Sequence, residues 1–299
     1  MSGVDRLQRL MFDAANVRAV HVRLEEVYRE VLSRGDYPAT VARLLGQGLV
    51  VAGMLSSGIK YSGRVSLQLH SATGVLRMLL ADCDDRGGMR ALAKLAGDKE
   101  FPAELSDDIR QLVPDGTLTL NLEPQVSGGH RWQGIVALES DTLAGSVEGY
   151  FRQSEQLPTR LHLAADAGQA AGILLQRLPG TPEDPDGWNR LCHLLDTLSP
   201  EELLATDGDT LTHRLFHEVD RTRLSDRPLA FHCPCSRERV SAALRSLGRE
   251  ELEALVAEQG EIQADCEFCN EHYTFDAVDV SQILTSVEPP ASGHGGRLH

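Results

Sequence analysis

The sequence predicts an α+β protein with three parts and a tail. Short runs of alternating apolar residues joined by Gly-containing turns indicate a first domain of antiparallel strands with packed helices. A stretch rich in Pro and Gly at 179–187 marks an exposed boundary, and four of the six cysteines lie close together near the C-terminus. The predicted domains are a core domain at 1–178, a helical linker at 179–230, a small cysteine-containing domain at 231–287 and a disordered tail at 288–299.

Alternation of apolar and polar residues defines the strands of the first domain. Residues 17–24 alternate and predict a strand, while 25–34 has helical spacing and ends before Pro38. Residues 39–55 are mostly apolar and predict a buried helix, and a striped helix is predicted at 142–153. Further strands are predicted at 65–69, 118–122, 132–138 and 160–163, with hairpin turns at Gly87-Gly88 and Gly128-Gly129.

The linker is predicted to consist of short amphipathic helices. Ser199, Pro200 and Glu202 form a helix start in which the Ser side chain caps and the Glu side chain reaches back. Helices this short are marginal in water, so they must dock on a neighbour and are candidates for reversible unfolding. Two apolar stripes could provide that docking, or a binding surface: Trp188, Leu191, Leu195 and Leu198, then Leu211, Leu215, Phe216 and Val219.

Charge and hydropathy exclude several classes of function. Twenty-nine basic and 44 acidic residues give a net charge of −15, which disfavours a general nucleic-acid or anionic-membrane partner. No stretch is expected to be long and apolar enough to span a bilayer, the best candidate being the short segment 49–59. The first residues lack the apolar run of a signal peptide, so a cytoplasmic protein is expected.

The clustered cysteines predict a zinc site. Cys233 and Cys235 form Cys-x-Cys, and after 30 intervening residues Cys266 and Cys269 form Cys-x-x-Cys. Two close thiolate pairs suit tetrahedral zinc, and in a reducing compartment such a cluster is better explained by metal than by disulfides. The adjacent His232 and His272 are possible alternative ligands that four thiolates make unnecessary, while Cys83 and Cys192 are expected to be plain thiols.

The predicted zinc domain is too small to fold without its metal. A single helix at 241–257 and a few apolar residues after the second pair supply little core. The sulfurs of a tetrahedral zinc site lie about 3.7 Å apart, whereas a disulfide bond is ~2.05 Å long. Oxidation of these sulfurs must therefore eject the metal, and the chemistry permits a redox switch.

The motifs of the whole chain resemble those of the heat-shock protein 33 family of redox-regulated bacterial holdase chaperones. The resemblance includes both cysteine pairs with the residues Cys-Ser-Arg-Glu-Arg at 235–239, and Gly-Glu-Ile at 260–262. In the first domain it includes Tyr-Phe-Arg-Gln-Ser-Glu-Gln-Leu-Pro-Thr at 150–159, Gly-Ile-Leu-Leu-Gln at 172–176, and segments 36–38 and 138–143. Position 171 is Ala where the family pattern has a second glycine, and because both residues are small the difference has little weight.

The resemblance implies a chaperone without a catalytic site. The reduced form would hold one zinc ion on Cys233, Cys235, Cys266 and Cys269 and be inactive. Oxidants would pair Cys233 with Cys235 and Cys266 with Cys269, zinc would leave, and the linker at 188–223 would lose its docking surface. The apolar stripes would then bind unfolding client proteins without ATP, and the activated protein is expected to form a homodimer.

Two other functions fit the cysteine spacing. A zinc-ribbon module for interaction or transcription is the first alternative, although residues 227–288 hold 5 basic and 12 acidic residues and would repel nucleic-acid phosphates. A ribbon acting through protein contacts survives that objection. A thiol oxidoreductase is the second alternative, but no βαβ unit surrounds the Cys-x-x-Cys segment.

Overall fold

The computed structural model describes residues 5–58, 62–97, 105–124 and 132–285. Over these residues the strands are β1 (Arg6–Phe12), β2 (Val17–Leu24), β3 (Gly63–His70), β4 (Leu76–Asp84), β5 (Gly88–Leu95), β6 (Thr117–Pro124), β7 (Trp132–Ala137), β8 (Thr159–Ala165), β9 (Ala170–Arg177), β10 (Thr222–Pro228), β11 (Ala230–Phe231), β12 (Ile262–Asp265) and β13 (His272–Phe275). The helices are α1 (Glu26–Leu32), α2 (Ala39–Ser56), α3 (Ile109–Leu112), α4 (Leu143–Tyr150), α5 (Gly187–Leu195), α6 (Pro200–Ala205), α7 (Gly208–Phe216), α8 (Arg237–Arg245), α9 (Arg249–Gln259) and α10 (Ala277–Thr285).

The chain divides into two compact units, residues 1–233 (the first unit) and 234–299 (the second unit). The first unit contains a five-stranded sheet with the order β10-β1-β2-β9-β8 and a six-stranded sheet with the order β11-β5-β4-β3-β6-β7. Neighbouring strands are antiparallel, except that β11 pairs in parallel with β5 through Ala230 and Phe231. The mixture of sheets and packed helices confirms the predicted α+β class.

Helix α2 contacts strands of both sheets and forms the centre of the main core. Its residues are apolar on most sides, and Leu45, Leu49 and Val50 are fully buried. The expectation that no segment has the length and composition of a membrane span was wrong, because α2 meets that test over 18 residues. Its burial among strands explains this, since a helix surrounded by core on most sides is apolar all round.

The predicted strands at 17–24, 65–69, 118–122, 132–138 and 160–163 are confirmed, as are the helices at 25–34 and 39–55 and the turn before β5. Helix α4 ends at Tyr150, earlier than predicted, and the chain continues as a π-helical turn at Phe151–Glu155. The predicted hairpin at Gly128-Gly129 and the tail at 288–299 lie outside the described residues.

Helices α5, α6 and α7, here called the linker helices, pack on the five-stranded sheet. Their apolar residues form one buried cluster with β1, β2 and β9, including Phe12, Val17 and Ile173. The opposite face of this sheet packs on α2, so β9 is covered on both faces. After α7 the chain returns to the same sheet as β10, which pairs with β1.

The second unit consists of the hairpin β12–β13 and helices α8, α9 and α10. The single helix predicted at 241–257 was wrong, because Gly248 separates α8 from α9 with a φ of 92°. Only glycine adopts that backbone conformation without strain, so the residue ends one helix and starts the next. The apolar core of this unit is small, with Leu252, Ile262, Phe275, Val280 and Ile283 buried.

Candidate metal centre

The first pair of cysteines lies at the join between a strand and a helix. Cys233 follows β11, and the backbone N–H of the intervening His232 donates to Met89 O at 2.9 Å. Cys235 immediately precedes Ser236, the N-cap of α8, whose hydroxyl accepts a hydrogen bond from Arg239 N.

The second pair occupies the turn of the β12–β13 hairpin. The strands register Asp265 opposite His272, so the six residues between them form the loop. Within it, Cys266 O accepts hydrogen bonds from the N–H groups of Cys269 at 3.2 Å and Asn270 at 2.7 Å. Asn270 adopts a left-handed φ of 58°, which Asn tolerates better than most residues. This tight turn presents both sulfurs on one side of the loop.

The sulfurs of Cys233, Cys235, Cys266 and Cys269, here called the cysteine cluster, all lie within 4.8 Å of one another. The Sγ atoms of Cys235 and Cys269 are 3.3 Å apart. Four sulfurs at this spacing match the donor set of a tetrahedral site for a soft or borderline metal ion. The cluster can therefore hold a metal ion, and the sequence-predicted ligands are brought together.

Two further side chains donate hydrogen bonds to these sulfurs. The Tyr273 hydroxyl donates to Cys235 Sγ at 3.3 Å, and this hydrogen bond is the main reason that the pKa of Tyr273 is raised. The Arg90 guanidinium, on β5, donates from Nη1 to Cys233 Sγ at 3.7 Å. Sulfur accepts both bonds best as the thiolate, which is the form that binds metal.

The second unit has a small apolar core. Among its described residues, five apolar side chains are buried in this core, and none of these lies on α8. Domains with so little core need a metal ion or disulfides to fold stably. The cysteine cluster is close enough to hold such a metal ion.

The histidines near the cysteine cluster have other contacts. His272 Nδ1 lies 2.7 Å from Asp265 Oδ1 across the first register pair of the hairpin, and both side chains are exposed. His232 contributes its backbone N–H to the pairing with β5. The group of side chains close enough to share a metal ion consists of the four cysteines in the described part of the chain.

The remaining thiols are poor nucleophiles. Burial raises the pKa of Cys83 to about 11, partly offset by its hydrogen bond with Ser56. Burial, followed by the nearby Asp196 carboxylate, raises the pKa of Cys192 to about 11. Neither thiol ionises near neutral pH, so each lacks the thiolate that oxidants attack.

The predicted client-binding residues are covered in this structure. Leu191, Leu195, Leu198, Leu211, Leu215 and Phe216 are buried in the cluster between the linker helices and the five-stranded sheet, and Trp188 and Val219 pack partly buried against it. These side chains are apolar and adjoining, but they can meet another protein only after the helices leave the sheet.

Comparison with known proteins identifies the family. The family model described as Hsp33 protein matches residues 5–276. The chain belongs to the Hsp33 family. The 33 kDa chaperonins of Pseudomonas paraeruginosa and Shewanella woodyi are 43% and 40% identical to this chain; the first match covers 98% of this chain and all of the relative, the second 96% and 98%. These Hsp33 relatives are chaperones rather than enzymes, so this protein is assigned to the stress-related chaperones.

The fold of the Hsp33 family is also seen in a solved structure. The crystal structure of the 33 kDa chaperonin from Thermotoga maritima superposes with a TM-score of 0.81 at 21% identity. The match covers 94% of this chain and 98% of that one. The Thermotoga protein thus shares the fold.

Sequence reasoning missed Arg90 and the residue that holds it, Asp82. Arg90 precedes Cys233 by 143 residues, and nothing in the local pattern of β5 distinguishes it from an ordinary exposed strand arginine. The pairing of β11 with β5 brings the two together. A two-residue strand leaves no periodic signal, so this contact requires the three-dimensional structure.

Proposed function

We propose that this protein is a cytoplasmic, ATP-independent holdase that is inactive when reduced and zinc-bound and active when oxidised. The observation that carries the proposal is the cluster of four cysteine sulfurs within 4.8 Å, in a chain of the Hsp33 family. Zinc is the metal that best suits four thiolates without redox chemistry of its own. Bound zinc would supply the stability that the small core of the second unit lacks.

Oxidation would use the same sulfurs as metal binding. Membership of the Hsp33 family implies the pairing of Cys266 with Cys269 and of Cys233 with Cys235. Forming each disulfide removes two electrons and two protons from two thiols, and hypochlorite accepts the electrons and is reduced to chloride and water. Bridged sulfurs no longer serve as thiolate ligands, so zinc release accompanies oxidation and the second unit loses its stabilising ligand.

The chain itself connects the cysteine cluster to the linker helices. Cys233 follows β11, which follows β10 after Leu229, whose N–H donates to Asp5 O at 3.0 Å. Strand β10 is the segment to which α7 leads, and Arg223 on it pairs with Asp209 on α7. Disorder that starts at Cys233 therefore reaches the linker helices through two short strands at sheet edges.

Undocking would expose the client-binding surface. The inner faces of the linker helices and the sheet face beneath them are the largest apolar area that can open without breaking the main core around α2. Clients would be unfolding proteins with exposed apolar segments, which bind such a surface without ATP. A second oxidised copy presents the same surface, so the active form is proposed to be a homodimer.

Light scattering from a chemically unfolded client tests this proposal directly. The reduced, zinc-loaded protein should leave client aggregation unchanged, and the hypochlorite-treated protein should suppress it, with reversal by dithiothreitol and no added ATP. A Cys192→Ser variant is the matched control, because it alters a linker thiol outside the cysteine cluster and should behave as the wild type. Equal failure of both redox states would refute the switch and leave the zinc ion as a structural element.

A further inference from the structure

Arg90 joins a buried carboxylate to one sulfur of the cysteine cluster. Asp82 on β4 is the register partner of Arg90 on β5. Arg90 Nε donates to Asp82 Oδ2 at 2.8 Å, while Nη1 of the same guanidinium donates to Cys233 Sγ at 3.7 Å. The planar guanidinium thus spans two acceptors that lie on different strands or segments.

The carboxylate that holds Arg90 is itself fixed. Asp82 is 3% exposed, and its other oxygen, Oδ1, accepts a 2.6 Å hydrogen bond from the Ser66 hydroxyl on β3. Arg64 Nη1, also on β3, lies 3.6 Å from Asp82 Oδ2. Ser66 thus binds one carboxylate oxygen and Arg90 Nε binds the other, which holds the Arg90 guanidinium where its Nη1 reaches Cys233.

The backbone beside Cys233 is attached at the same place. His232 N donates to Met89 O, and Met89 is the neighbour of Arg90 on β5. Phe231 is the register partner of Met89 in the short parallel pairing. Two consecutive residues of β5 therefore hold this segment by hydrogen bonds: Met89 accepts from the backbone before Cys233, and Arg90 donates to the Cys233 sulfur.

We propose that Arg90 is a positioning residue for Cys233: it fixes the sulfur in the metal-binding orientation and, by hydrogen bonding, slows its reaction with oxidants. The inference rests on the proposed metal centre and deepens it by naming a residue that sets how readily the switch responds. Groups that orient metal ligands typically change metal affinity 10- to 100-fold when removed. A hydrogen bond to a thiolate also withdraws charge from the sulfur, which lowers its reactivity toward electrophiles.

Oxidation would also remove the reason for this contact. In a Cys233–Cys235 disulfide, the sulfur of Cys233 carries no negative charge and is a weak acceptor. The Arg90 guanidinium would keep Asp82 but lose its sulfur partner, so the side-chain attachment of this segment to β5 would be lost. Arg90 thereby makes the attachment of the segment at 231–233 dependent on the redox state of Cys233.

Zinc affinity measured by competition with a chromogenic chelator tests the inference on the full-length reduced protein. Arg90→Gln should weaken zinc binding roughly 10- to 100-fold. Arg64→Gln is the matched control, since Arg64 shares the Asp82 carboxylate but serves a different strand, and it should stay within about threefold of wild type. Arg90→Lys keeps a positive charge beside Asp82 but lacks the planar guanidinium that can donate to two acceptors at once. This variant should therefore not restore the wild-type affinity for zinc.

The rate of Cys233 oxidation gives a second readout independent of chaperone activity. Under limiting hypochlorite, mass spectrometry should show Cys233 oxidised faster in Arg90→Gln than in wild type, with Cys266 as the internal reference. Wild-type zinc affinity and an unchanged Cys233 rate in Arg90→Gln would overturn the inference while leaving the holdase proposal intact. Equal losses in Arg90→Gln and Arg64→Gln, or full rescue by Arg90→Lys, would also overturn it, because they indicate support of the sheet through Asp82.

Discussion

Truncation of Phe216 is predicted to activate the protein without an oxidant. Phe216 is the last residue of α7, is fully buried, and packs edge-on against Phe12 with ring centroids 5.1 Å apart. Replacing a buried Phe with Ala destabilises by about 3–5 kcal/mol. Because Phe216 lies between the linker helices and the five-stranded sheet, this loss falls on helix docking rather than on the main core around α2.

The size of the effect follows from the equilibrium between docked and undocked helices. Since every 1.4 kcal/mol is a factor of ten, Phe216→Ala should raise the ratio of undocked to docked protein by roughly 140- to 4,000-fold. The reduced, zinc-loaded variant should therefore suppress client aggregation in the light-scattering assay. Hydrogen exchange should also accelerate over 187–216 while the amides of α2 stay protected.

The control for this experiment is Leu224→Ala on β10. Leu224 is 49% exposed, so its truncation leaves no cavity and should change neither activity nor exchange. The reasoning would be refuted if Phe216→Ala stayed inactive when reduced although exchange over 187–216 had accelerated. That result would show that undocking of the linker helices does not create the client-binding surface.

Three further predictions concern the metal, its ligands and pH. Removing metal from the reduced protein with a chelator should collapse the NMR chemical-shift dispersion of the second unit but not that of the first. The reason is that the described core of the second unit is small, with five buried apolar residues. Retained dispersion in the second unit would contradict a stabilising metal. Serine at any residue of the cysteine cluster should abolish or sharply reduce zinc content, whereas Cys83→Ser should leave it unchanged, and zinc loss in that control would overturn the ligand assignment. The third prediction concerns His21, which is buried with no hydrogen-bond partner for Nε2 among the described residues. Burial is the main cause that lowers the pKa of His21 to about 4; the charge of Arg23 lowers it further, and the Asp207 carboxylate partly offsets both effects. Its neutral form is therefore favoured in the fold, so stability is complete above pH ~6.5 and falls by about 2 kcal/mol at pH 5, as urea titrations should show; a His21→Gln variant with the same pH dependence would contradict the assignment to His21.

Strands of the first domain that bury one face and expose the other were predictable from the alternation of apolar and polar residues. Strand β9 was missed because seven of its eight residues are buried, between α2 and the linker helices, so its sequence shows no alternation. Strand β10 was missed for the opposite reason, since most of its residues are exposed at a sheet edge and its apolar content is low. Periodicity carries information only when the two faces differ.

The clustering of the four cysteines was predictable because the spacing of both pairs is a feature of the local sequence. The break between α8 and α9 was less so, since a glycine within helical spacing is often tolerated and only the φ of Gly248 reveals the break. The contact of Arg90 with Cys233 could not be predicted, because it depends on the register between a two-residue strand and β5. The positions of the cysteines can thus be read from the local sequence, whereas the Arg90 contact with Cys233 depends on the tertiary structure.

The return of the chain to the five-stranded sheet makes the linker helices a closed loop. Strand β9 ends at Arg177 and β10 begins at Thr222, so about 44 residues between them are held at both ends by the same sheet. As a flexible chain, a segment of that length has a root-mean-square span of roughly 35–40 Å, so while β10 stays paired the loop cannot drift far. Its effective concentration at the sheet is in the millimolar range, which favours rapid recapture once a client leaves. Tethering at both ends would therefore let the chaperone reset by an intramolecular step, as long as β10 remains paired with β1.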